Sequence, residues 1–161
     1  METYQKIIAF LTENQIPYRE LQHEPEGKSE AVSKVRGSHI HQGAKAMVVS
    51  VEMTKTQRAY YLVVLPADHR LDFEKITQHA GGKRTQLASP ERVLQMTGCV
   101  IGTVPPFSFN PDLPVLLDPA LLDNQEIVFN AGRLDLSIFI PAEEYARALR
   151  AAVVSVSSLP I

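Results

Sequence analysis

The chain has 161 residues, 45% hydrophobic and 21% charged, a length that suits one domain (residues 1–161) and a composition that excludes wholesale disorder. Sixteen Lys and Arg face eighteen Asp and Glu, and the net charge of −2 excludes a polycation that holds any nucleic acid by charge alone, though not a local basic patch.

Tyr4, Ile7, Ile8 and Leu11 recur at helical spacing and predict a first helix, with Thr3 as its cap and Asn14 and Ile16-Pro17 as its stop. Residues 18–23 read as a short strand. Gly27 breaks the chain, and Ser29 is placed to cap a short helix that ends at Gly37. Residues 44–51 and 59–65 are strand-like, and the polar segment 54–57 between them predicts a hairpin. Asp72 caps a helix with Phe73, Ile76 and Ala80 on its apolar face, ending at Gly81-Gly82. Ser89-Pro90-Glu91 is a stronger start: a capping hydroxyl, a proline at the first helical position and an acid favoured by the helix dipole. That helix runs to Thr97, with Gly98 after it. Residues 100–104 read as a strand that Pro105-Pro106 stops. Residues 115–117, 127–130 and 136–140 are three more short strands. A last helix is expected over 142–152, where Glu143 and Arg147 sit at favourable i, i+4 spacing. The tail from 153 carries no assignment. Interspersed helices and hairpins predict a mixed α/β domain around a curled, largely antiparallel sheet.

One cysteine, Cys99, excludes an intramolecular disulfide and fits a reducing compartment. The first residues carry no secretory signal, and no apolar run reaches the roughly 18 residues of a membrane span, so the expected location is cytoplasmic, with no membrane partner.

The strong catalytic motifs are absent: no P-loop, GxGxxG, HExxH, CxxC or GxSxG. His39 and His41 share one face of an extended segment. A metal site would need a third ligand, with Cys99 or His23 as the candidates, and solvated histidines are the blander reading. Cys99 has no local histidine or positive charge to activate it and reads as a small buried hydrophobe. Lys45 opens the apolar strand, where it either snorkels to solvent or projects into a cleft as a fixed charge. Residues 98–108 hold Gly102 and the Pro105-Pro106 pair. They are either a rigid turn or a loop aiming main-chain N–H groups at a developing oxyanion, with Gly102, Thr103, Val104 or residues after Phe107 as donors, since proline has none. Asn130-Ala131-Gly132-Arg133 suits a hairpin turn, and alternatively places Asn130, Gly132 or Ser137 on a cleft wall.

These same segments resemble the YbaK/prolyl-tRNA synthetase-associated editing domain family. The resemblance rests on Glu30-Ala31, on Gln42 through Val48 (QGAKAMV), on Gly98 through Ser108 (GCVIGTVPPFS) and on Phe129-Asn130-Ala131-Gly132. It spans roughly residues 3–150, and its wording is closest to the free-standing branch that deacylates seryl- and threonyl-tRNA. It implies a barrel-like curled sheet with surrounding helices. It also implies trans-editing, the hydrolysis of the ester joining a wrong small amino acid (Ser or Thr, with Ala as a further candidate) to the tRNA 3′-terminal adenosine. Lys45 matches the family's required lysine, which anchors the terminal phosphate or orients the ester. Gly102, Thr103 and Val104 match the loop that holds carbonyl and water, and the terminal ribose hydroxyl helps to activate that water. No metal or cofactor is implied. Pro105, Pro106, Ser108, Asn130, Gly132, Asp135 and Ser137 are the expected substrate contacts. The run after Asn-Ala-Gly departs from branches that place a histidine there, so their amino-acid preference does not carry over.

A second sieve of this kind answers a physical limit, since one methylene discriminates by only about 1–3 kcal/mol. The expected partners are mischarged tRNA and an aminoacyl-tRNA synthetase, without DNA. Lys28, Lys34, Arg36, Lys83 and Arg84 are the candidate basic edge for tRNA, against the alternative of a solvated face. Two other readings stand beside the deacylase: a non-catalytic module that holds an acceptor end or a nucleotide, and a hydrolase built on Cys99.

Overall fold

The two longest apolar stretches pair with each other. In the computed structural model, which describes residues 2–26 and 29–160, β2 (Ala44–Glu52) and β3 (Arg58–Pro66) form the predicted antiparallel hairpin, in register from Ala44↔Pro66 to Glu52↔Arg58. Their alternation feeds two cores. Ala44, Val48, Leu62 and Val64 face one cluster, and Val49, Val51, Val63 and Leu65 face the other. A strand buried on both sides reads as a nearly continuous apolar run, as these do.

Most of the remaining elements follow the local signals. The exceptions are Thr3, the expected first cap, which lies inside the helix Glu2–Glu13, and the short strands Arg70–Leu71, Arg84–Leu87, Ala152–Val153 and Ser157–Ser158, which no local signal announced. Helix α1 (Glu2–Glu13) buries Ile7 and Leu11, and β1 (Arg19–Gln22) follows it. Helix α2 (Ser29–Arg36) ends at Gly37, whose φ is 68°. After β4 (Arg70–Leu71), the Asp72 carboxylate accepts from Lys75 N–H at 3.1 Å and opens α3 (Phe73–Ala80). Strand β5 (Arg84–Leu87) leads to α4 (Pro90–Thr97), where Ser89 Oγ accepts from Arg92 N–H at 3.2 Å. Then come β6 (Val115–Leu117), β7 (Glu126–Asn130), β8 (Leu136–Pro141), α5 (Ala142–Ala148), β9 (Ala152–Val153) and β10 (Ser157–Ser158).

The ladders fall into three sheets, ordered β5-β2-β3-β6-β9, β1-β8-β7 and β10-β4. Antiparallel pairing predominates, although β6 runs parallel to both β3 and β9. The barrel-like part of the expectation is not confirmed: among the described residues the three sheets are not closed into a barrel, and an isolated bridge from Gly43 to Val128 links the start of β2 to β7.

Two elements also differ from the sequence reading. Residues 100–104 form a turn, not a strand. The Thr103 N–H and hydroxyl both donate to the Val100 carbonyl, at 3.0 and 2.8 Å, and Gly102 sits at φ 93°. The last helix stops at Ala148 rather than 152, because the chain turns extended and Ala152–Val153 supplies a partner for the edge of β6. Among the described residues, no helix is long and apolar enough to cross a membrane.

Candidate active site

Strand β5 pairs only with residues 49–52 of β2. Along residues 44–47 that edge is open, and it borders a cleft of about 190 Å³. Lys45, Arg36, Gly43, Gly102, Val104 and Asn130 all line it. The sequence reading left Lys45 between solvent and cleft; it lies in the cleft, half-buried, and its Nζ donates to the His69 carbonyl at 2.7 Å. Burial lowers the Lys45 pKa from the ordinary lysine value, and the nearby Asp68 carboxylate opposes that shift.

The hairpin explains why His69 is there. Ala67 N–H donates to the Gly43 carbonyl at 2.8 Å, so the chain leaving β3 folds along the chain entering β2. Continuing the register three residues beyond Ala44↔Pro66 sets His41 opposite His69, and their rings lie 5.6 Å apart. Asp68 completes the cluster, with Oδ1 2.9 Å from His41 Nδ1 and 4.0 Å from His69 Nε2. Among the described residues, His41, Asp68 and His69 are the set that could hold a metal ion, with donor atoms within 4.8 Å of one another. The expected companions of His41 lie elsewhere. His39 is exposed, His23 contacts Ser137, and Cys99 Sγ is buried 3.5 Å from Thr3 Oγ1.

A chain of side chains forms the opposite wall. Arg36 Nε donates to Ser137 Oγ at 2.8 Å, and its NH2 donates to Asn130 Oδ1 at 2.9 Å. Asn130 Nδ2 in turn donates to the Gly102 carbonyl at 3.1 Å. A guanidinium only donates and a carbonyl only accepts, so the Asn130 amide has one possible orientation. The peptide between Gly102 and Thr103 is pinned from both sides, because its carbonyl takes Asn130 and its N–H serves Val100. The N–H groups of Gly102 and Val104 make no hydrogen bond to the described residues. Burial pushes the Arg36 guanidinium down to about 10.

The other candidate residues scatter. Thr103 is buried and its donors are used internally. Pro105 and Ser108 line a separate cleft with Phe109 and Asn110. Pro106 is buried, and its carbonyl accepts from the Tyr145 hydroxyl at 2.6 Å. Gly132 lies in another depression beside Thr103 and Cys99. The Asp135 carboxylate is held by Arg133 at 2.7 and 2.6 Å, and that guanidinium keeps its pKa below the usual value. Ser137 is fully buried behind Arg36.

The basic residues do not form one edge. Lys28 lies outside the described residues. Lys34 is exposed on α2, whereas Arg36 lines the cleft rather than a solvated face. Lys83 and Arg84 are exposed beside Glu52, with Arg84 NH2 3.3 Å from its carboxylate. Glu52 lies seven residues along β2 from Lys45, roughly 23 Å at strand rise.

Sequence reasoning missed the placement of Arg36, His23, Asp68 and His69. For the last two a signal existed in the hairpin register. For Arg36 and His23 none did, because their contacts with Ser137 span 101 and 114 residues.

Comparisons with known proteins bear on this site. A family model described as an aminoacyl-tRNA editing domain matches residues 23–148. The Multifunctional Ser/Thr-tRNA deacylase ProXp-y of Escherichia coli (strain K12) is 43% identical over 146 residues, covering 90% of this chain and 87% of its own. A proline–tRNA ligase of Thermosipho melanesiensis is 32% identical over 89 residues, which is 55% of this chain but 15% of that enzyme. Among solved structures, the crystal structure of hypothetical protein APE2540 superposes with a TM-score of 0.84 at 24% identity, over 95% of this chain and 99% of that one. A structure described as a candidate trans-editing enzyme for prolyl-tRNA synthetase gives a TM-score of 0.80 at 23% identity, over 98% of both chains. Both neighbours carry the same mixed α/β fold. The matched span contains Arg36, Lys45, Gly102 and Asn130, the residues of the cleft, and the chain belongs to the aminoacyl-tRNA editing domain family.

Proposed function

We propose that this chain is a trans-editing aminoacyl-tRNA deacylase that hydrolyses the ester of tRNA mischarged with a small amino acid, serine or threonine first. The observation that carries the reading is one cleft lined by Lys45, Gly102 and Val104 together, in a chain 43% identical to a Ser/Thr-tRNA deacylase. At about 190 Å³ the cleft is smaller than the 300 Å³ at which drug-sized pockets begin, and so it suits the small end of a large ligand. A smaller apolar annex of about 70 Å³, walled by Ala46, Ala88, Val93, Ile101 and Val104, adjoins it and suits a short side chain.

The step is ordinary ester hydrolysis. Water attacks the acyl carbon, the carbonyl oxygen becomes an oxyanion, and collapse expels the ribose oxygen, which takes up a proton. Gly102 and Val104 supply the N–H donors, and a fixed donor costs nothing to reorient as charge develops. Lys45 anchors the terminal nucleotide or orients the ester. The substrate's own ribose hydroxyl assists the water. Thr103, with its N–H already engaged, has only a structural part. The whole chain acts as one editing domain in the cytoplasm, beside the synthetase whose errors it clears.

The test is a deacylation panel with purified protein and seryl-, threonyl- and alanyl-tRNA. Release of serine or threonine well above the buffer rate is expected. Saturable binding of tRNA without release would instead favour a non-catalytic acceptor-end module.

The annex gives a second expectation. Ala88 is 8% exposed on its wall, and Ala88→Leu adds three carbons there. Threonyl-tRNA turnover should fall by roughly tenfold more than alanyl-tRNA turnover, since overpacking costs about 1–3 kcal/mol. Equal losses on both substrates would remove the annex from selectivity.

A further inference from the structure

Among the described residues Arg36 is a cation with no anion beside it. It forms no ion pair with them, and its partners Ser137 and Asn130 are both neutral. Half-buried unpaired charge is expensive, and such charges are ordinarily paired. Lys45 lines the same cleft, so two cations converge where the described residues place one carboxylate, Asp68, close enough to influence Lys45.

The guanidinium is also aimed. Its Nε and NH2 are both engaged, while NH1 makes no hydrogen bond to the described residues. A Cβ built on Gly43 would lie 3.7 Å from NH1, so the free end of the fork lies over Gly43, two residues before Lys45. Behind it the hydrogen bonds run one way. His23 Nδ1 lies 2.8 Å from the Glu24 carbonyl, which only accepts, so Nδ1 carries the proton and Nε2 of the neutral ring accepts. Ser137 then donates its hydroxyl to His23 Nε2 at 2.7 Å and uses its oxygen to accept from Arg36. Every acceptor behind Arg36 is thereby satisfied, and the two NH1 hydrogens and the net charge are left for the cleft.

We propose that Arg36 is a phosphate-binding residue of this cleft: with Lys45 beside it, its free fork end takes the 5′-phosphate of the substrate's terminal nucleotide. His23, Ser137 and Asn130 are positioning residues that hold the fork in place. Guanidinium suits this task because its planar donors match phosphate oxygens, whereas the ammonium of Lys45 is a point charge. The cationic wall then takes the phosphate, and the Gly102 wall and the annex take the acyl group. The inference rests on the deacylase reading for the identity of the nucleotide.

Two substrates that differ only in that phosphate test it: 3′-O-seryl-adenosine and 3′-O-seryl-AMP. Arg36→Ala should raise KM for seryl-AMP by at least about tenfold more than it raises KM for seryl-adenosine, the loss common to both reporting the hold of Arg36 on Asn130 and the Gly102 loop. Equal losses on both would overturn the proposal and make Arg36 a support for the Gly102 loop alone. Arg36→Lys should recover part of the loss on seryl-AMP, since charge is kept while the fork is lost. If Arg36→Ala does not fold, wild-type protein still decides. AMP should inhibit at least about tenfold better than adenosine, with the advantage shrinking as salt rises. Equal inhibition would overturn the proposal. Absence of serine release from either substrate and from seryl-tRNA would sink the deacylase reading instead, and the AMP-to-adenosine ratio would remain a separate measure of the phosphate site.

Discussion

Replacing Lys45 with methionine is expected to lower kcat/KM on seryl-tRNA by about a hundredfold or more, roughly 2.7 kcal/mol of transition-state stabilisation. Methionine keeps an unbranched stem of similar length, so packing against β3 survives and the ammonium alone is lost. That charge is half-buried, where an electrostatic interaction is worth more than in water. An unchanged melting temperature would separate the loss of chemistry from loss of fold, and wild-type turnover in Lys45→Met would remove the lysine from the mechanism. The pH profile gives an independent reading. The protonated form is the useful one, so activity should fall as pH rises through the Lys45 pKa. Burial lowers that pKa, and the alkaline limb should therefore lie below the ordinary lysine value of about 10.4, once spontaneous ester hydrolysis is subtracted. Asp68 raises the same pKa, so Asp68→Asn should move the limb further down. A limb that moved up, or did not move, would contradict the assigned coupling.

The split between what the sequence announced and what it hid follows the range of the interactions. Caps at Asp72 and Ser89 are settled within three residues by a side-chain oxygen and a nearby N–H, and both formed as read. The β2–β3 hairpin was legible for the same reason, since one polar turn fixes its register. The turn at residues 100–104 was misread because β-branched composition suggests a strand. Its conformation is decided by Gly102 and by a carbonyl–amide contact with Asn130, 28 residues away. The cleft shows the same division. Lys45 and the Gly102 loop were each singled out from local pattern, and the fold sets them on one cavity. Arg36 was read only as one member of a basic edge for tRNA, against the alternative of a solvated face, because nothing local to α2 marks it as inward-facing. Only the contacts to β7 and β8 turn it inward. The distance between Lys83–Arg84 and the cleft has a simpler origin. The β5 partner of β2 begins at Glu52, the end of the strand remote from Lys45, so two basic clusters close in composition become distant in space.

Asp118→Ala is expected to be the most damaging change to stability, at about 3–5 kcal/mol, because it strands three donors at once. The carboxylate is 3% exposed. Its Oδ1 accepts from Ala120 N–H at 2.9 Å, and its Oδ2 accepts from Val156 N–H at 2.9 Å and Ser157 Oγ at 2.7 Å. No cation pairs with it among the described residues, so these hydrogen bonds offset the cost of burying the charge. Asp118→Asn should cost less, since one carbonyl oxygen survives, yet its NH2 would face donors. The measurement is chemical denaturation of the variants at fixed protein concentration, and a loss below about 1 kcal/mol for Asp118→Ala would show that the tail is held by other contacts. The effect should also reach the cleft. Ser157 donates to Asp118 and its oxygen contacts His69 Nδ1 at 2.9 Å, while the His69 carbonyl fixes Lys45 Nζ. Ser157→Ala keeps the Asp118 bonds to Val156 and Ala120 but removes the support of His69. That variant should remain folded and lose turnover, by roughly threefold to tenfold, because a misplaced ammonium still carries its charge. If Ser157→Ala instead matched wild type while Asp118→Ala unfolded, the tail would serve stability only, and the positioning of Lys45 would rest on the hairpin register alone.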